Sequence, residues 1–346
     1  MFLKEDRMYN NQNTSLALAL AALFLMAPFF SAGAETTLNG AGATFPYPIY
    51  SKWFDEYNKI HPDIKINYQS IGSGGGIKQF TAKTVDFGAT DGPMSDKEIF
   101  AVDGKPVHIP TVLGAVVPTF NVPGVANLVF DGNILAGIFL GTIKSWDDPA
   151  IKGLNPEAAL PPSPITVVHR ADGSGTTYCF TDYLSAVSPE WKKTVGTGKA
   201  VNWPVGLGGK GNEGVAGLVK QTSGAIGYVE LIYAKSNNLA YGAVKNRAGK
   251  AVLASVEAVS AAAASAKIPA DFRVSIVNAS GDTSYPISTF TWLLVYEKNS
   301  GKTGAVLKEF LVWMLEDGQK LAPNLGYAPL PANVNDMVKA RIQSIK

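Results

Sequence analysis

Cysteine is almost missing from this chain: Cys179 is the only one in 346 residues. That excludes an intrachain disulfide and a thiolate metal site. Flanked by Tyr178 and Phe180 on an expected helix, Cys179 reads as a small core residue. Histidine is scarce too. His61, His108 and His169 are the full set, and none stands at metal-ligand spacing from another His, Asp or Glu, so no metal site and no cofactor is expected. Charge is low, at 17% of residues with a net +2, which offers no electrostatic footprint for nucleic acid. Hydrophobic residues reach 46%, too many for a disordered chain. No repeat of fixed period is visible, and beyond residue 30 no apolar run is long enough to cross a bilayer.

What is there begins with a targeting segment. Lys4 and Arg7 precede an apolar run from Leu16 to Phe30, and Ala32-Gly33-Ala34 supplies an A-x-A cleavage site. Glu5 and Asp6 interrupt the basic start, and Met8 is an alternative first residue. The run falls short of the roughly 20 residues that span a membrane. Residues 1–34 are therefore expected to be a signal peptide, removed on export. With no cysteine at the cleavage point, no lipid anchor is expected there.

The remaining chain is long enough for one large domain or two ordinary ones. The 35 glycines and 21 prolines of the full sequence favour turns and functional loops over a helical bundle. Residues 37–39 read as a strand, then a helix runs to Asn58 with Ile49, Tyr50, Trp53, Phe54 and Tyr57 at helical spacing. Ile64, Ile66 and Tyr68 alternate with Lys65, Asn67 and Gln69, a strand pattern. A helix is expected over 77–83 and a strand over 85–89, ending at Asp91-Gly92-Pro93. Val112–Phe120 reads as a buried strand crossing to a second lobe, with Ile287–Tyr296 as the return. Between them lie expected helices at 131–140, 176–186, 212–220 and 251–267, and strands at 165–168 and 225–229; a last helix is expected over 303–320. The alternation argues α/β with a largely parallel sheet. Expected lobes are 35–113 plus 287–346, and 114–286.

Three loops share one design of strand end, glycines, Ser or Thr, and helix start: Gly40–Phe45, Gly72–Gly76 and Arg170–Thr177. Free N–H groups and the dipole of a helix start favour an anion, and Arg170 adds a permanent planar donor fork. Each loop alone fits a plain helix cap; three together, with an arginine, point to convergence on one anion in the cleft between lobes. Asp91 sharpens this. A carboxylate repels a bound anion unless a proton lies between them. Phosphate keeps a proton near neutrality and can donate it; sulfate cannot, and would leave two acceptors face to face. Asp172 is placed to hold the Arg170 fork, or alternatively to cap the helix.

Other signals are weaker. Gly206–Gly211 matches G-x-G-x-x-G with Glu230 further on, but Trp203-Pro204 is a poor approach for a central strand, and a loop opening a helix at Asn212 reads better. Asp172-Gly173-Ser174-Gly175 lacks the first glycine of a nucleophile elbow, and His169 reads as a strand residue flanking the site. A secreted phosphoesterase using Ser174 or Thr176 is the catalytic alternative; a binder of sulfate, molybdate or arsenate is the other.

The segments Gly40–Pro46, Ile71–Gly76, Val85–Asp91, Arg170–Thr176 and Gly206–Asn212 together resemble the periplasmic phosphate-binding proteins of phosphate-specific ABC transporters, over nearly the whole chain after residue 34. The resemblance implies the two-lobed type II periplasmic-binding-protein fold closing on one phosphate, no catalysis, a periplasmic monomer, and an inner-membrane permease as partner. It implies donation from Thr44, Phe45 and Ser73, proton acceptance by Asp91, a charged fork from Arg170 oriented by Asp172, and binding by Ser174, Gly175 and Thr176. Two positions depart from the pattern. His169 stands where a second basic residue is expected, which would weaken the pull on an anion, and Gly74 stands where serine is frequent.

Overall fold

The computed structural model describes residues 35–346; the expected signal peptide lies outside them. The main sheet follows in order from strands β1 (Thr36–Gly42), β2 (Ile64–Ser70), β3 (Phe87–Thr90), β4 (Pro106–Asn121), β5 (Thr166–Arg170), β6 (Leu207–Gly209), β7 (Ala225–Glu230) and β8 (Ser288–Tyr296). Across the sheet they run β2-β1-β3-β8-β4-β7-β5-β6, with Ala240–Tyr241 also pairing β4. Helices α1 (Tyr47–Ile60), α2 (Ser73–Thr81), α3 (Asp96–Phe100), α4 (Gly175–Val187), α5 (Gly211–Gln221) and α6 (Gly301–Trp313) bear on the argument below. No helix among the described residues is long and apolar enough to cross a membrane.

The sheet corrects the expectation of a largely parallel arrangement. Two parallel triplets, β2-β1-β3 and β7-β5-β6, flank an antiparallel pair, β8 and β4. β4 is sixteen residues long, and its two halves have different neighbours. Pro106–Ala115 pair with β8, and Val116–Asn121 pair with β7. Because β7 is antiparallel to β4 while β3 runs with it, the triplets point in opposite directions. Their carboxyl ends meet: Thr90 of β3 lies opposite Trp292, itself opposite Pro110, and Glu230 of β7 lies opposite Val116. Ligands of open α/β sheets sit at strand carboxyl ends, so this topology aims two sets of loops at one place.

The helix at 47–60 buries Ile49, Tyr50, Trp53, Phe54 and Tyr57, the face its spacing predicts. Trp53, Trp146, Trp191 and Trp292 are all fully buried, and Trp53 Nε1 donates to Gly318 O at 2.7 Å, so each large ring is placed with its polar edge in mind. Cys179 is buried and free.

Several boundaries move. α2 starts at Ser73, not 77, so its three glycines form the first turn. Glycine is a poor helix former, but a Cβ on Gly76 would fall 2.4 Å from Gly42 Cα; close packing on β1 overrides propensity. In the alanine-rich stretch the helix is confined to Val256–Ala264, where the Ser255 side chain caps Ala258 N–H. α6 ends at Trp313 and continues as a π-turn over Met314–Gly318, where Gly318 O receives the Trp53 indole and buried Gln319 donates to Thr111 O at 2.8 Å.

Candidate functional site

The three loops converge. β1 ends at Gly42 and α1 starts at Tyr47; β2 ends at Ser70 and α2 starts at Ser73; β5 ends at Arg170 and α4 starts at Gly175. Thr44, Phe45, Ser73, Asp91, Arg170, Ser174, Gly175 and Thr176 are all buried.

Ser73 and Asp91 form one cluster with the start of α4. Ser73 Oγ accepts the Asp91 N–H at 3.2 Å and the Gly175 N–H at 3.0 Å. It lies 3.4 Å from Asp91 Oδ2, to which it donates. A Cβ on Gly175 would sit 2.6 Å from both Ser73 Oγ and Asp91 Oδ2, so only glycine admits this approach. The contact joins the two triplets, as does Gly74 N–H donating to Gly173 O at 2.8 Å. A Cβ at position 74 would press to 3.0 Å of Gly173 Cα, which gives glycine a physical reason at one of the two departing positions.

Burial pushes Asp91 up to about 7 from an ordinary 3.8. The bond from Thr291, the Arg170 charge and the bond from Ser73 oppose that rise. Thr291 Oγ1 donates to Asp91 Oδ1 at 2.9 Å. Thr291 comes from β8, and a strand residue in an apolar run carries no local sign of polar duty.

Arg170 is buried and its fork is bidentate on Asp172: Nε to Oδ1 at 2.8 Å and Nη2 to Oδ2 at 2.6 Å. Nη1 donates to Thr176 Oγ1 at 3.3 Å. Of five guanidinium N–H groups, three are used in this way, leaving two for a ligand. Burial would raise Asp172, but Arg170 and the Gly211 N–H outweigh it and hold the carboxyl low. Asp172 thus keeps the fork in place, and the cap of α4 falls to Ser174 instead, whose Oγ accepts Thr177 N–H at 3.0 Å. The Arg170 backbone N–H donates to Tyr228 OH at 3.2 Å, and Tyr228 bonds Thr177 Oγ1 at 2.6 Å.

The first loop is pinned by its carbonyls. Tyr233 donates to Thr44 O and Tyr327 to Phe45 O, each at 2.6 Å. The Phe45 ring packs on Tyr327 with centroids 6.2 Å apart, so its side chain belongs to the core and its backbone N–H is what the loop can present. Thr44 Oγ1 and Thr176 Oγ1 both meet Asn212, at 2.8 and 3.2 Å from its Nδ2. The sequence singles out the glycine-rich segment before Asn212 but gives no sign of a role for its amide. The segment itself forms β6 on the sheet edge beside β5, a place the Trp203-Pro204 approach permits.

His169 points elsewhere. Adjacent strand residues face opposite sides, and its ring stacks on Trp203 at 4.9 Å and 10°. Its Nδ1 lies 3.0 Å from Arg170 O. Among the described residues no hydrogen bond joins His169 to Ser174, and no group of three His, Cys, Asp or Glu side chains is placed to hold a metal ion.

At the rim, Lys199 Nζ donates to Pro93 O at 2.9 Å and pairs with Glu98 at 3.0 Å. Arg273 pairs with Asp96 at 2.7 Å and donates to Met94 O at 3.1 Å. Burial would raise Glu98, but Ser95 and Lys199 outweigh it and hold the carboxyl low. These contacts tie α3 and the loop before it, which follow β3, to segments outside the first triplet.

A PBP superfamily domain model matches residues 30–317. Phosphate-binding protein PstS of Pasteurella multocida is 46% identical over 335 residues, covering 95% of each chain. The protein of the same name from Haemophilus influenzae is 47% identical, covering 91% of this chain and 94% of that one. Among solved structures, a high-affinity periplasmic phosphate-binding protein with phosphate bound is 23% identical, with a TM-score of 0.72 over 88% of this chain and 93% of that one. A phosphate-binding protein from Stenotrophomonas maltophilia is 21% identical, with a TM-score of 0.70 over the same shares. With this sheet, three convergent helix-start loops and those likenesses, the chain belongs to the PBP superfamily and, within it, to the PstS phosphate-binding proteins.

Proposed function

We propose that this protein is an exported solute-binding protein that captures inorganic phosphate and delivers it to an ABC-type permease. The observation that carries the reading is the opposition of one buried acceptor, Asp91, to a set of donors headed by Arg170 and the starts of α2 and α4. A fully ionised anion satisfies the donors and repels Asp91; an anion that keeps one proton satisfies both. The PstS relatives are named for phosphate, which supports the same ligand.

In this reading Thr44, Phe45, Ser73, Ser174, Gly175 and Thr176 donate to phosphate oxygens, the Ser73 hydroxyl and the Gly175 N–H by exchanging the bonds they make here to Asp91 Oδ2 and Ser73 Oγ for bonds to the ligand; Arg170 supplies the positive charge, and Asp172 orients it. Asp91 accepts the ligand's proton. Residues 35–113 with 287–346 form one lobe and 114–286 the other, joined where β4 and β8 run side by side, and closing over the ligand. The Gly74–Gly173, Ser73–Gly175 and Lys199–Glu98 contacts are then closed-state contacts. The signal peptide is removed near Ala34, leaving a periplasmic monomer that performs no chemistry on its ligand.

Calorimetric titration of the purified protein with phosphate and with sulfate tests this. Strong phosphate binding with little sulfate binding is expected; equal affinities would refute the role given to Asp91.

A further inference from the structure

We propose that Asn212 sets the hydrogen-bond polarity of the site by forcing the Thr44 and Thr176 hydroxyls to donate. The proposal rests on the phosphate-binding reading and concerns a side chain outside the eight expected to touch the ligand. Asn212 is fully buried in the first turn of α5. The orientation of its amide follows from chemistry. The Glu230 backbone N–H can only donate, and it lies 2.9 Å from Oδ1. Nδ2 is therefore the group that faces the two threonines.

A hydroxyl has one hydrogen to give and two lone pairs to receive with. Thr44 Oγ1 receives the Asn212 side-chain amide at 2.8 Å and the Asn212 backbone N–H at 3.2 Å. Thr176 Oγ1 receives the Asn212 amide at 3.2 Å and Arg170 Nη1 at 3.3 Å. Both oxygens are saturated as acceptors, so each has only its O–H left to offer a ligand. Elsewhere a threonine hydroxyl can turn to suit either a donor or an acceptor; these two cannot. The opposite wall is set the other way. Asp91 Oδ1 receives Thr291 at 2.9 Å and Oδ2 receives Ser73 at 3.4 Å, and an ionised carboxylate can only accept, on the lone pairs that these two donors leave.

One amide thus binds three segments together: the loop after β1, the start of α4 and the end of β7. Asn212 is a positioning residue that acts on the ligand through two hydroxyls. Ligands that present an acceptor to both threonines and a donor to Asp91 are accepted, and those with donors facing the threonines are refused.

The test is titration calorimetry with inorganic phosphate on the unsubstituted protein, Asn212→Ala, Thr44→Val and the double variant, with folding checked by circular dichroism. Asn212→Ala is expected to weaken binding at least tenfold. In the Thr44→Val background the same change is expected to cost at least threefold less, because one of the two hydroxyls it orients is gone. Additive costs, as from a group that only packs α5, overturn the proposal. Asn212→Asp keeps the shape and the acceptor for Glu230 but receives from both threonines, turning their hydrogens inward. At least a hundredfold loss is expected, and affinity within threefold of the unsubstituted protein overturns the proposal; this variant decides alone if Asn212→Ala does not fold. No phosphate binding by the unsubstituted protein would instead overturn the phosphate reading, and this proposal with it.

Discussion

Asp91 carries a cost that can be measured without any ligand. Its carboxyl is buried at the meeting of the two strand triplets, and burial raises it to about 7 against an ordinary 3.8. A carboxyl raised in the folded state holds its proton more tightly there than in the unfolded chain. It therefore contributes no penalty below about pH 4, and stability falls as pH rises through the interval up to about 7. At about 1.36 kcal/mol per pH unit, the difference between 3.8 and about 7 is worth about 4 kcal/mol when the group is fully ionised. Asp91→Asn keeps the size, keeps an acceptor for the Thr291 hydroxyl and removes the charge. Urea unfolding of both ligand-free proteins at pH 5 and pH 8 isolates the effect, since every other titrating group is common to the pair. The variant should gain on the wild type between those pH values by roughly 3 kcal/mol, the part of the interval that lies above pH 5. An equal stability difference at both pH values would refute the reasoning.

The same Asp91→Asn protein should lose discrimination, with its phosphate-over-sulfate affinity ratio falling at least about tenfold in competition calorimetry; an unchanged ratio removes the proton-accepting role. Arg170→Ala should weaken phosphate binding by at least about 2 kcal/mol, because it removes the ligand's charged partner and strands Asp172; undiminished affinity takes Arg170 out of the site. Burial presses His108 down to about 3 from an ordinary 6.5, with Nε2 accepting the Met94 N–H at 3.0 Å. Its folded state resists protonation, so His108 should subtract about 2 kcal/mol of stability between pH 7 and pH 5, against the opposite contribution of Asp91 over the same interval; in urea melts His108→Gln should therefore gain about 2 kcal/mol on the wild type from pH 7 to pH 5, and an equal difference at both pH values would refute it. Lys199→Ala breaks the bonds to Pro93 O and Glu98; at about 1 kcal/mol for a part-exposed pair, stopped-flow release of phosphate should quicken about fivefold, and an unaltered rate would mean that these contacts do not resist opening.

Helical spacing over Ile49–Tyr57 and alternation over Ile64–Gln69 were legible because one face of each element is buried and the other wet. The glycine, hydroxyl and arginine residues of the three loops were legible because the positions are locally special: a strand end, a tight approach, a helix start. By itself the sequence therefore determined the types of these elements, the α/β class and which residues to look for at the site, while the strand at Leu207–Gly209, read as a loop, and the helix at Ala332–Gln343 escaped it. Register and direction were not legible, since they depend on partners far along the chain. Only the tertiary structure decided that β4 pairs with β8 on one half and with β7 on the other, which turns the two triplets head to head. That arrangement places Thr291 on Asp91 and Asn212 between Thr44 and Thr176. Both side chains sit in stretches whose local pattern calls for nothing more than a strand and a helix start; their polar duties arise from groups brought in from elsewhere in the chain, Asp91 at a separation of 200 from Thr291, and Thr44 at 168 and Thr176 at 36 from Asn212. Residue types announce what a loop can donate, but which atoms remain free to donate is settled by what packs behind them.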